Sequence, residues 1–315
     1  MDDIKRSCTW DVFCEHLASF AGDDDFALVV QDMDIDLGPL KDLPEEKVFV
    51  SSASDPNMIL NAAGVALSGK RPWIAGLSSR MISRSYSQIR ESLSIPSLPV
   101  RIAVPDGGLS CGEDGASRTM TEDLALMRAM PGMSVAVPSD SISVVGIAEA
   151  ARKAEGPVYI RLGQTPLSQL DDVEDGDFSL GGARLLREGT SVTVCTCGIM
   201  GHQALKAADI LDQQGIDIEI VDCYSLKPFP EQTVLASVRR TGCCVVAEEH
   251  SYIGGLCSAT AECLSGTYPV PVKFVAIEDR FVHSGAPEEL REYFGLTWEE
   301  IVNAAAQAWA LRRRE

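Results

Sequence analysis

Two stretches of this 315-residue chain carry residue types that could do chemistry. The first runs from Gly112 through Glu113, Asp114, Gly115, Ser117, Arg118, Thr121 and Glu122 into an apolar helical pattern that stops at Pro131-Gly132. Glycines on either side of an acidic pair allow backbone angles closed to other residues and let main chain approach a ligand closely. Ser117 or Thr121 is suited to cap the helix that follows. A plain strand-to-helix connection would share this spacing. The second stretch is Asp55-Pro56-Asn57-Met58, a carboxylate at the expected start of a helix. Asp55 could present its acid to a ligand or cap the helix, since proline is favoured in a first turn. Glu249-His250, His283 and His16 are reactive in type, but no His-Cys or His-carboxylate spacing supports a metal site.

The elements that must position these residues alternate regularly. Apolar runs at 26–31, 73–76, 100–104, 135–137 and 158–161 read as short buried strands, and helical patterns at 57–69, 83–92, 121–130 and 141–154 separate them. The run at 158–161 reads as the last strand of this unit. An acidic stretch follows, and alternation then resumes with strands at 192–196, 218–221, 244–247 and 272–276 and a helix at 202–214. Two consecutive doubly wound α/β domains are expected, spanning 1–170 and 181–315 with an acidic linker at 171–180.

Composition narrows the function class. A net charge of -19 repels phosphate backbones, which argues against nucleic acid as a partner. No apolar stretch is long and uncharged enough for a bilayer, and the N-terminus has no signal-peptide core, so a cytoplasmic location is expected. Ten cysteines in a chain of this size read as reduced, with Cys195, Cys197, Cys243 and Cys244 serving as small buried hydrophobes.

The 112–133 run resembles the active-site segment of the pyrimidine-binding domain of transketolases, which use thiamine diphosphate to move two-carbon ketol units between sugars. Asp55-Pro56-Asn57-Met58 with Ala62-Ala63-Gly64, and Arg84-Ser85-Tyr86-Ser87-Gln88-Ile89-Arg90, fall at that family's spacings. Glu248-Glu249-His250 with Gly254-Gly255-Leu256 resembles its C-terminal domain. The likeness covers nearly the whole chain and implies a pyrimidine-binding domain followed by a transketolase C-terminal domain.

The resemblance implies a role for individual residues. Asp55 takes the place of the glutamate that donates to the cofactor's pyrimidine N1' and so lets its 4'-imino group remove the thiazolium C2 proton. The aspartate keeps the acid but reaches roughly 1.3 to 1.5 Å less far, and misplacements near 1 Å can cost about 100-fold in rate. Met81 and Ser78 replace aromatic positions beside the aminopyrimidine, and Arg84 belongs to the same cofactor-binding segment. On the substrate side, Asp114 matches the acid that contacts sugar hydroxyls, Asp106 replaces a histidine and Arg118 a histidine or glutamine. Gln164 replaces the arginine that grips a sugar phosphate, with Arg161 three residues earlier. A glutamine supplies neither the charge nor the fork of an arginine.

The Gly-Asp-Gly signature that holds magnesium and the diphosphate in complete transketolases is absent. Gly22-Asp23 and Gly176-Asp177 both lack the second glycine. The chain thus resembles the C-terminal subunit of a split enzyme. Its expected partner is an N-terminal diphosphate-binding subunit that holds Mg2+ and shares thiamine diphosphate, in a heterotetramer with two copies of each. Three functions follow: ketol transfer with an altered substrate site, transfer to a carrier-bound or specialised acceptor, or a non-catalytic partner of an active half.

Overall fold

The computed structural model describes residues 7–31, 36–51, 54–76, 78–170 and 177–312. Most of the expected linker, 171–176, therefore lies outside the described residues. A seven-stranded sheet has the order Ser225–Lys227, Ser134–Ala136, Val158–Arg161, Arg101–Val104, Arg71–Ala75, Phe26–Gln31, Val48–Ser51. All neighbours in it are parallel except Ser225–Lys227, which runs antiparallel to Ser134–Ala136. A five-stranded sheet has the order Val272–Ile277, Cys244–Ser251, Val192–Thr196, Ile218–Asp222, Arg184–Arg187, parallel apart from the last strand. Ser7–Cys8 and Pro166–Leu167 form a small antiparallel pair.

Burial explains why these runs became strands. Phe26–Gln31, Arg101–Val104, Val158–Arg161 and Val192–Thr196 are buried along nearly their whole length, as a parallel sheet covered on both faces requires. Cys195, Cys197, Cys243 and Cys244 are buried free thiols, as expected. Val158–Arg161 is not the last strand of its unit, because Pro166–Leu167 follows and Ser225–Lys227, which comes from the second unit, closes the sheet edge. Among the described residues no helix is long and apolar enough to cross a membrane.

Where the two units meet, one guanidinium serves two buried acids. Arg184 Nη2 donates to Asp140 Oδ2 at 3.0 Å and to Asp222 Oδ2 at 3.2 Å, and Ser139 Oγ donates to Asp222 Oδ1 at 2.7 Å. Burial pushes the Asp222 carboxyl up to about 7 despite Arg184, with Asp140 adding to the rise. A group whose pKa is raised on folding contributes stability that is full below its unfolded pKa, near 3.8, and is lost as pH climbs through about 7. Asp222→Asn is therefore expected to flatten the fall in stability between pH 4 and 8, read as denaturant midpoints of the two proteins across that range. Parallel curves would assign the titration elsewhere.

Candidate functional site

The residues singled out from the sequence share one end of the first sheet. Because its strands run parallel, the loops after Val48–Ser51, Arg71–Ala75, Arg101–Val104 and Val158–Arg161 emerge together at the carboxyl edge, where open α/β sheets bind ligands. Those loops deliver Asp55, then Ser78, Met81 and Arg84, then Asp106, Asp114 and Arg118, then Gln164.

Asp55 begins the helix Asp55–Leu67, whose buried face is built from Met58, Ile59, Ala62, Ala63, Val65 and Ala66. Extended Ser54 occupies the cap position and Pro56 the first turn, and no side chain caps the helix. The capping alternative for Asp55 is thus not what its carboxylate does. Instead Oδ2 lies 3.2 Å from Arg84 Nη1, with Asp55 17% exposed and Arg84 59%. Gln31, at the end of its strand, sets its side-chain amide against the backbone N–H groups of Ser54 and Asp55, and with the amide oxygen turned toward them, the orientation that satisfies both donors, the separations are 3.3 and 3.2 Å. Met81 is buried beneath this edge in the core that also holds Met58.

Asp106 is buried, and its Oδ1 accepts from the Ser79 N–H at 2.5 Å. Burial pushes its carboxyl up against the pull of the polar groups of Ser78 and Ser79. Asp114 and Arg118 face each other at 3.3 Å across one turn, both substantially exposed, a type of pair worth about 0 to 1 kcal/mol. Arg161 is committed elsewhere: Nε stands 3.2 Å from Asp123 Oδ2, Nη2 donates to the Glu249 carbonyl at 2.9 Å, and the side chain is 4% exposed. Gln164 is exposed at the rim.

The 112–121 run differs from its sequence reading in two ways. Its helix is shorter, Asp123–Ala129, with Glu122 at the cap position, so neither Ser117 nor Thr121 caps it. Its glycines bring main chain close to the second unit. A side chain on Gly112 would meet Leu290 and the Gly285 carbonyl, and one on Gly115, at φ +73, would meet Ser284 Oγ at 2.6 Å. Asp123, which the sequence does not single out, is fully buried and accepts from Tyr159 Oη at 2.6 Å as well as pairing with Arg161. The one local signal is an acid at the head of the apolar run Leu124-Ala125-Leu126-Met127.

Comparison with known proteins decides the family. Residues 19–168 match the transketolase pyrimidine binding domain, and residues 181–301 match the transketolase C-terminal domain. The chain belongs to the transketolase family. It is 38% identical over 310 residues to the 6-deoxy-6-sulfo-D-fructose transketolase subunit SqwH of Clostridium sp. (strain MSTE9), covering 96% of this chain and 95% of that one. A subunit of the apulose-4-phosphate transketolase of Phocaeicola vulgatus is 30% identical, with 85% of each chain covered. Among solved structures, one described as a split gene transketolase, inactive beta4 tetramer, superposes with a TM-score of 0.88 at 36% identity, over 98% of this chain and all of that one.

A transketolase pyrimidine-binding domain implies thiamine diphosphate, and the residues at the sheet edge suit one end of it. A carboxylate beside an arginine, with serine groups on another loop of the same edge, suits a flat ring that both donates and accepts hydrogen bonds. Among the described residues no group of three or more His, Cys, Asp or Glu could hold a metal ion.

Proposed function

We propose that this chain is the pyrimidine-binding subunit of a two-subunit transketolase-like enzyme, and that its substrate site departs from that of ordinary phosphosugar transketolases. The carrying observation is the match of nearly the whole chain to the pyrimidine-binding and C-terminal domains, supported by the near-complete overlap with chains named as transketolase subunits. Thiamine diphosphate, when bound, supplies the nucleophilic carbon that carries the two-carbon unit. Asp55 holds and returns the proton at the pyrimidine N1', and Arg84 fixes the rotamer of that carboxylate. The Asp114 carboxylate orients substrate hydroxyls, and Arg118 beside it takes the anionic end of the substrate. Ser78 and Met81 line the ring, and Asp106 orders the turn beside them.

The magnesium and diphosphate then belong to an N-terminal partner subunit, in an assembly with two copies of each chain and paired sites across a two-fold axis. Titration calorimetry tests this. The chain alone is expected to show no micromolar affinity for thiamine diphosphate with Mg2+, and the reconstituted pair to bind tightly. Micromolar binding by the isolated chain would sink the two-subunit reading. The inactivity named for the beta4 tetramer of the related structure supports the same expectation.

The substrate reading rests on Gln164 and Arg161. With Arg161 buried against Asp123, it cannot take over a phosphate clamp at the rim, and Gln164 has no charge to offer. A ketose ending in a group other than a phosphate dianion suits this rim better. The sulfonate named for the Clostridium relative is such a group.

A further inference from the structure

Glu249 belongs to the strand Cys244–Ser251 of the second sheet, yet its carboxylate ends against a turn of the first unit. A Cβ on Gly108 would stand 2.4 Å from Glu249 Oε2 and 2.9 Å from Arg161 Nη2, and one on Gly107 would stand 2.4 Å from Arg161 Cγ. Gly108 also has φ +62, so the turn is doubly reserved for glycine. The surface beneath it is held from several sides. Arg291 Nη1 lies 3.2 Å from Glu249 Oε1 while Nη2 pairs with Glu288 at 2.9 Å, and Arg161 is fixed between Asp123 and the Glu249 carbonyl. All of these except Glu288 are buried, so Glu249 has little room to yield.

The turn that rests there opens with Asp106, whose carboxylate receives the Ser79 N–H, and the Gly107 N–H donates to the Leu162 carbonyl at 2.9 Å. Contacts therefore run unbroken from Arg291 through Glu249 and the glycine turn to Ser79.

We propose that Glu249 is a positioning residue: from the C-terminal domain it sets the height of the Asp106-Gly107-Gly108 turn, and through Asp106 the placement of the Ser78-Ser79 edge. This rests on the reading above that the edge receives the aminopyrimidine. Glu249 itself lies beneath the turn, and acts through it.

Gly108→Ala drives a methyl group into Glu249. In the full chain, the Ser79 amide is expected to exchange with deuterium about tenfold faster, because its acceptor moves. In the reconstituted enzyme, kcat should fall roughly 100-fold while the ketose KM changes less than about threefold. The double variant Gly108→Ala/Glu249→Ala keeps the alanine at positive φ and its 2.9 Å approach to Arg161 Nη2 but removes the clash with Glu249, and should regain a substantial part of both losses. Arg291→Gln in the Gly108→Ala background leaves Glu249 unheld and should give partial recovery, which serves if the double variant does not fold. Unchanged Ser79 exchange in Gly108→Ala, or no recovery in either second-site variant, overturns the proposal. Faster exchange with undiminished kcat overturns the positioning role. The exchange measurement needs neither cofactor nor partner, so its failure is distinct from failure of the cofactor reading.

Discussion

Replacing Asp55 by alanine is expected to lower exchange of the cofactor's thiazolium C2 proton in the reconstituted enzyme by about 10²- to 10⁴-fold, the usual contribution of a positioned acid or base. Assembly and stability should barely change. The residue makes no capping bond, and its partner Arg84 is largely exposed, so the lost ion pair contributes about 0 to 1 kcal/mol. Asp55→Glu restores the missing methylene and should match or exceed wild type. Proton-exchange measurements by NMR read all three proteins. An alanine variant that exchanges as fast as wild type would leave Asp55 as no more than a first-turn residue. A wild type no faster than free cofactor would favour a non-catalytic partner role.

The second large effect concerns the far end of the substrate. Gln164→Arg returns a charged fork to the exposed rim, and a charge-assisted hydrogen bond of about 1.5 to 3 kcal/mol corresponds to roughly 10- to 150-fold in kcat/KM. That gain is expected to be larger with xylulose 5-phosphate, whose terminus is a dianion, than with 6-deoxy-6-sulfo-D-fructose, whose sulfonate carries a single charge. Arg118→Ala should lower turnover of both, since in the proposed site Arg118 meets the anionic end of the substrate and is held only loosely by Asp114. Wild type that already handles xylulose 5-phosphate with high efficiency, unaffected by Arg118→Ala, would remove the case for an altered site.

The sequence is most legible where burial and local pattern coincide. The strands Phe26–Gln31, Val158–Arg161 and Val192–Thr196 are continuous apolar runs that end where the sequence places them, because both sheet faces are covered. Val48–Ser51 gives no such signal: it is an edge strand with Phe49 and Val50 exposed, and edge pairing leaves no clear apolar signature. The helix at 123–129 begins two residues later than the pattern suggests, since the chain before it is tied down by Ser251 N–H donating to the Thr121 carbonyl. The site residues can be placed by resemblance, but their roles depend on distant partners. Arg161 has the composition of a substrate clamp and the environment of a core ion pair, because Asp123 and Glu249 reach it from 38 and 88 positions away in the chain.

Ser225–Lys227, three residues supplied by the second unit, covers the edge of Ser134–Ala136 in the first. Its Lys227 also donates to the carbonyls of Arg128 and Met130, at 2.9 and 2.5 Å. Excising the first unit alone would therefore strip a row of backbone donors and acceptors along Ser134–Ala136 and leave a bare template for intermolecular pairing. The two family-level modules recognised in the chain are in this respect a single folding unit. Fragments made at the module boundary are expected to aggregate when expressed separately and to become soluble when co-expressed, as pieces of a shared sheet find each other.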